Sequence, residues 1–220
     1  MLPAALLAGS GCASLPRDPE HTLERVRQTG RVRVGVVDNP PWSGAEVEMA
    51  RQFAASLGAS PEWIPGGEQR HMQALERYEL DLLIGGIEAT TPWAKKVGLT
   101  RPYFTERIVV GVPAGMPAPG SLEGQKVAVK AGEEAGAYLH KKGAAVVRVT
   151  TLAPHTAAAA PDWRLPQLGL VATRFELVKK EHVMAVPPGE NGWLRRLQIF
   201  LAEHESGMAE LLRAQSGVSE

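Results

Sequence analysis

Six histidines, His21, His71, His140, His155, His182 and His204, are scattered along the chain. None stands at a metal-ligand spacing such as His-Glu-x-x-His, so a metallohydrolase has no support and each reads as a surface residue. Ser10 and Ser43 lack the glycine-flanked turn that exposes a hydrolase nucleophile, and no glycine-lysine loop of the Walker type is present to cradle phosphate. What remains is the chemistry of recognition. The segment Arg31-Val32-Arg33-Val34-Gly35-Val36-Val37 alternates as a strand and stops at Asp38-Asn39-Pro40-Pro41-Trp42, where two prolines forbid continuation. Ligands of open α/β sheets sit at the carboxyl ends of strands, which makes Asp38 and Trp42 candidate pocket walls. A second such end follows the apolar run Leu80-Asp81-Leu82-Leu83-Ile84-Gly85-Gly86-Ile87. Gly85 and Gly86 either admit close approach of a ligand or serve a turn with unusual dihedrals, and both readings stand.

The elements that position these residues alternate between the two secondary-structure periods. Leu23 to Gly30 predicts a short amphipathic helix, and Val47, Met49, Ala50, Phe53, Ala54 and Leu57 share one face of a longer one closed by Gly58. Pro61 to Ile64 predicts a second strand, Met72 to Tyr78 a helix, and Leu80 to Ile87 a strand buried on both faces of a parallel sheet. After Ile108 to Val112, the residues Pro113, Gly115, Pro117, Pro119 and Gly120 mark a connector. A second, smaller β-α-β unit then runs from Lys126 to Val149 and is irregular through Pro154, Ala157 to Ala160, Pro161 and Pro166. Glu181 to Val186 predicts a returning strand, with C-terminal helices over Trp193 to His204 and Met208 to Gln215. The division expected is 1–22 as leader and tether, 23–111 with 184–220 as the first lobe, and 112–183 as the second.

The chain has 220 residues, 44% hydrophobic and 22% charged, enough for one large core or two small ones. Its 24 basic and 24 acidic residues cancel, which disfavours nucleic acid and acidic membrane surfaces as partners. The one cysteine, Cys12, permits neither an intrachain disulfide nor a cysteine zinc site. It follows the apolar Met1 to Gly11, which resembles a bacterial lipoprotein lipobox, although Gly9 stands where leucine is usual. That resemblance implies lipidation at Cys12; the other reading is an unmodified terminus with an incidental thiol. No later stretch is apolar for the eighteen or so residues that span a bilayer, so attachment would be through acyl chains alone.

Several segments resemble one family, the family 3 bacterial solute-binding proteins that serve polar amino acid ABC transporters. They are Gly30-Arg31-Val32-Arg33-Val34-Gly35-Val36 with Asp38 to Trp42, the helix end Leu57-Gly58, Asp81 to Gly86, and Thr90-Thr91-Pro92-Trp93-Ala94-Lys95-Lys96-Val97-Gly98-Leu99-Thr100-Arg101-Pro102-Tyr103. Ser121 to Val129 is similar to the start of the family's second lobe. The resemblance implies an α/β, two-lobed, periplasmic-binding-protein-like (type II) fold with a reduced second lobe. It further implies a monomer outside the cytoplasm that closes on a small-molecule ligand, with an ABC permease as partner and no cofactor, metal or catalysis.

Three departures from the family pattern bear on the ligand. Trp93 occupies the position of the arginine that forks onto a ligand's α-carboxylate, and an indole supplies neither its charge nor its paired donors. Glu88 stands where a small hydroxyl is common, two residues before Thr90. The aspartate that meets the ligand's ammonium aligns with Pro161 or with Asp162. Trp42, Trp93 and Tyr103 together with Asp38 and Glu88 would suit a cationic ligand without a free α-carboxylate; otherwise Trp93 is a packing residue, and Glu88 a solvated carboxylate paired with Lys95 or Lys96. Two other classes remain open, a periplasmic enzyme of the same fold, as some dehydratases of this family are, and a sensory or accessory protein for a membrane partner. The pairs Lys141-Lys142, Lys179-Lys180 and Arg195-Arg196 read as solvated faces.

Overall fold

A computed structural model describes residues 18–217; Cys12 and the run before it lie outside the described residues. The chain begins with α1 (Thr22–Thr29), β1 (Arg31–Val36), α2 (Trp42–Ala55), β2 (Ser60–Pro65), α3 (Glu68–Glu76), β3 (Leu82–Ile84) and β4 (Gly98–Leu99). A long strand, β5 (Phe104–Pro113), then crosses to a second body made of β6 (Lys126–Lys130), α4 (Ala135–Lys141), β7 (Ala145–Val149), β8 (Ala158–Pro161) and a 3-10 helix over Asp162–Leu168. The thirteen-residue β9 (Leu170–His182) returns, and β10 (Ala185–Val186), α5 (Asn191–His204) and α6 (Met208–Ser216) rejoin the first body.

Two five-stranded sheets result, ordered β2-β1-β3-β10-β4 and β7-β6-β8-β5-β9. In the first, β1 runs parallel to β2 and β3 while β10 is antiparallel to β3 and β4. In the second, β6 is parallel to β7 and β8, and β5 is antiparallel to β8 and β9. The two-lobed α/β architecture follows, with one α-helix, α4, in the second lobe among the described residues. Three local differences from the sequence expectation have physical causes. Trp42 opens α2 rather than ending a loop, because Pro41 needs no amide partner at the helix cap. The Ala157 to Ala160 run is recruited into β8 by pairing with β5, not left irregular. Strands β5 and β9 pair along nearly their whole length within the second sheet, which places the lobe change near residues 104 and 182 instead of 111 and 184.

Period-two alternation in β3 explains the first lobe's core. Leu82 and Ile84 face the cluster of Phe53, Trp193 and Phe200 beneath α2 and α5, whereas Leu83 faces Met72 and Leu75 of α3. Phe53 packs 5.1 Å from Trp193 and 5.4 Å from Phe200, and the fully buried Trp193 donates its indole N–H to the Asp81 carbonyl at 2.7 Å. The Asp81 carboxylate, itself buried, accepts from Arg25 at 2.5 Å and from the Arg33 guanidinium and amide at 2.6 and 2.8 Å. No helix among the described residues is long and apolar enough to cross a membrane.

One acidic residue interrupts the apolar face of α2. Glu46 is fully buried, and its carboxylate accepts from the amides of Gly85 at 2.6 Å and Gly86 at 2.9 Å and from the Tyr103 hydroxyl. The glycine pair makes a turn with unusual dihedrals. Gly85 and Gly86 take φ of 129° and 74°, and a Cβ on Gly85 would lie 2.5 Å from the Val37 carbonyl, so the turn demands glycine and its amides serve Glu46. Burial holds the Glu46 carboxyl above its usual 4.5 despite the three donors, and burial next to Glu46 raises the Tyr103 hydroxyl well above 10.0.

Two outcomes are expected from this core. Trp193→Ala should lower stability by about 3–5 kcal/mol, seen as a melting temperature depressed by roughly 10 °C in calorimetry. Because the folded-state pKa of Glu46 is raised, its contribution is favourable below about pH 4.5 and is lost as pH rises through the folded value. Glu46→Gln turns an amide NH2 toward one glycine N–H that it cannot accept from, so it should melt below the parent at acidic pH, with the gap narrowing as pH rises through the folded value.

Candidate functional site

A cavity of about 270 Å³ lies between the lobes. The first lobe supplies Asn39 to Trp42 after β1 and Gly86 with Glu88 after β3, both at carboxyl ends of parallel strands. From the second lobe come Lys130 at the end of β6, Glu133 and Glu134 at the start of α4, and Ala159 to Pro161 of β8. The floor is the crossover ribbon itself. Alternate residues of a strand share a face, so Glu106 and Ile108 on β5 and Lys180 and His182 on β9 line the same space. A wider vestibule of about 440 Å³ adjoins it, sharing Pro40, Lys130 and Arg164.

The expected site residues are divided by the structure. Trp42, Gly86 and Glu88 line the interlobe cavity. Asp38, Gly85 and Thr90 instead border an open groove of about 500 Å³ on the first lobe, which Gly86 and Glu88 also touch. Trp93 lines neither space. Its ring packs with the cluster around α3, with the Lys96 ammonium 5.0 Å above it, so it is not brought together with Trp42, Asp38 and Glu88. Of the two alternatives in the second lobe, Pro161 lines the cavity, while the Asp162 carboxylate accepts from the Trp163 amide at 2.8 Å and lies 3.9 Å from Arg107.

Four residues that carry the site were not singled out from the sequence. Lys180, grouped there with solvated lysines, lies 3.1 Å from Glu88 of the first lobe and 3.1 Å from Glu134 of the second. Burial pulls its pKa down, but the two carboxylates outweigh that and hold it above the usual 10.5. Glu88 is thus paired, though with Lys180 and not with Lys95 or Lys96. His182 and His71 are buried, contrary to the surface reading of all six histidines. The His182 ring stacks on Trp42 at 3.5 Å, and neither of its nitrogens has a hydrogen-bond partner among the described residues. Its Nε2 lies 3.8 Å from Oε2 of Glu106, whose Oε1 accepts from the Trp163 indole at 2.9 Å. Trp163 follows β8 in the second lobe, yet its side chain belongs to the first lobe's core cluster, and its carbonyl accepts from Arg213 of α6 at 3.3 Å. The signal for Glu106 was available, since it alternates with Ile108 and Val110 on a buried face; nothing local marks Trp163.

No group of three or more histidine, cysteine, aspartate or glutamate side chains among the described residues is arranged to hold a metal ion. The arrangement offers hydrogen bonds, charge and aromatic edges to a small molecule enclosed by two bodies.

Comparison with known proteins agrees with this geometry. The model of the bacterial extracellular solute-binding proteins, family 3, matches residues 33–213. Membrane-bound lytic murein transglycosylase F of Vibrio cholerae is 29% identical over 111 residues, 45% of this chain and 21% of that protein, so the chain spans about a fifth of that relative's length. An ancestral cationic amino acid solute-binding protein has a TM-score of 0.68 at 20% identity, over 88% of this chain and 98% of that one. The L-cystine solute receptor of Neisseria gonorrhoeae, unliganded and open, also has a TM-score of 0.68, at 19% identity over 89% and 97%. Identity at that level speaks to fold. The chain belongs to the bacterial extracellular solute-binding proteins, family 3.

Proposed function

We propose that this protein is an extracytoplasmic binding protein that captures a small solute in the interlobe cavity and delivers it to an ABC importer without chemical change. The observation that carries the reading is that one cavity takes its walls from both lobes and its floor from the ribbon joining them. A solute touching both walls favours the closed arrangement over the open one, and only that difference in binding energy moves the hinge. Glu88, the carboxylate on the first-lobe wall of the cavity, is engaged by Lys180, which supports binding over catalysis there. A standard amino acid gripped by an arginine fork is disfavoured, because Trp93 holds that position and packs away from the cavity.

A second reading is a ligand-sensing module of a cell-envelope system, favoured by the partial similarity to a membrane-bound murein transglycosylase. Loss of solute uptake on deletion of the gene supports the importer role; unchanged uptake with altered envelope behaviour supports the module.

The binding reading is checked by a thermal-shift and calorimetric screen of amines, guanidinium compounds and standard amino acids. A true ligand at a hundredfold excess over Kd should add about 2.7 kcal/mol, raising the melting temperature by roughly 5–10 °C. Pro161→Phe, which projects bulk into the cavity, should abolish that shift while the unliganded variant still melts cooperatively. Binding that survives this substitution would place the ligand elsewhere.

A further inference from the structure

Resting on the binding reading above, we propose that Glu106 and His182 form a subsite on the cavity floor for a protonated nitrogen group of the ligand, an ammonium or a guanidinium. Three observations on the ribbon point to that chemistry. Glu106 is a buried carboxylate, 6% exposed, and among the described residues its one hydrogen bond comes from the neutral indole of Trp163. Basic neighbours along the ribbon are committed to other acids, Arg107 to Asp162 and Glu176, and Lys180 to Glu88 and Glu134. A carboxylate withdrawn from water with one donor among the described residues is under-compensated, and a positive group supplies what it lacks.

His182 adds the direction. It is 2% exposed, lines the cavity, and leaves both ring nitrogens without a hydrogen bond among the described residues. The stack on Trp42 and the backbone pairing of its strand with Phe104 on one side and Glu88 on the other fix the ring in place. The gap of 3.8 Å between Nε2 and the Glu106 carboxylate exceeds a hydrogen bond, so the two groups do not satisfy each other and a donor nitrogen entering beside them would serve both. A carboxylate or phosphate has no donor for Glu106 and is repelled by it. An imidazole with its one proton on Nδ1 accepts through Nε2, and in that tautomer the pair would present two acceptors to one multiply protonated nitrogen.

This differs from the cation site expected from the sequence, which joined Trp42 and Trp93 with Asp38 and Glu88. Trp93 packs away from the cavity, Asp38 borders the outer groove, Glu88 is neutralised by Lys180, and one face of Trp42 is covered by His182.

The experiment is isothermal titration of the full chain with agmatine and putrescine as cations and with succinate and butane-1,4-diol as the anionic and neutral comparisons. The proposal expects at least one cation to bind and neither comparison to compete. Glu106→Gln keeps an acceptor for the Trp163 indole but removes the charge, and should weaken the cation about tenfold or more. His182→Gln should weaken it several-fold, with circular dichroism and melting curves confirming that both variants fold. Two results would overturn the subsite: failure of both cations to bind, or cation affinity unchanged in Glu106→Gln. If succinate or butane-1,4-diol binds instead and that binding is lost in Pro161→Phe, the subsite falls while the cleft remains the binding site. If a cation binds and Pro161→Phe does not weaken it, the cleft reading falls with the subsite.

Discussion

A single buried carboxylate sets the geometry on which the cleft depends. Glu46, on the inward face of α2, gathers the amides that end β3 and the hydroxyl of the residue preceding β5. Those three donors come from the loop that carries Glu88 into the cavity and from the point where the chain leaves the first lobe. Burial makes the charged form costly, and the convergence of donors is what makes it tolerable. The same bonds oblige residues 85 and 86 to be glycine, because their amides can turn toward the carboxylate only with backbone angles that side chains resist.

From that anchor the ribbon of β5 and β9 follows, and strand alternation does the rest. With Phe104 opposite His182 and Glu106 opposite Lys180, alternation turns Glu106 and Ile108 of one strand and Lys180 and His182 of the other toward the cavity. The floor is therefore polar at its first-lobe end and apolar at Ile108. Lys180 binds an acid from each lobe across the opening, an exposed and salt-sensitive tie, whereas Trp163 ties the lobes through a buried surface.

Much of the fold was legible because its signals are local. Period-two runs, a helical stripe from Val47 to Leu57, and proline or glycine stops at 40–41, 58 and 113–120 mark nearly every element of the first lobe and the start of the second. The family motif from Thr90 to Tyr103 completed the topology. The second half of the small lobe was not legible, since β8 is an alanine run that becomes a strand only by pairing with β5, and β9 is rich in charge because one of its faces meets solvent.

The site was harder for a related reason. Its walls come from segments separated by more than a hundred residues, and an acid at position 46 or 106 announces itself only as an interruption of an apolar face. Trp93 shows the limit of reasoning by alignment. A position that relatives fill with a charged fork is here filled by a ring that gains more from lying against Val97 and its neighbours than from facing water.

Trp163 carries a consequence for the clamp's equilibrium. An indole that one half lends to the interior of the other acts as a cork, and withdrawing it uncovers about 150 Å² of apolar surface, worth about 4 kcal/mol. That surface is one term favouring the shut arrangement, to which a solute touching both walls adds.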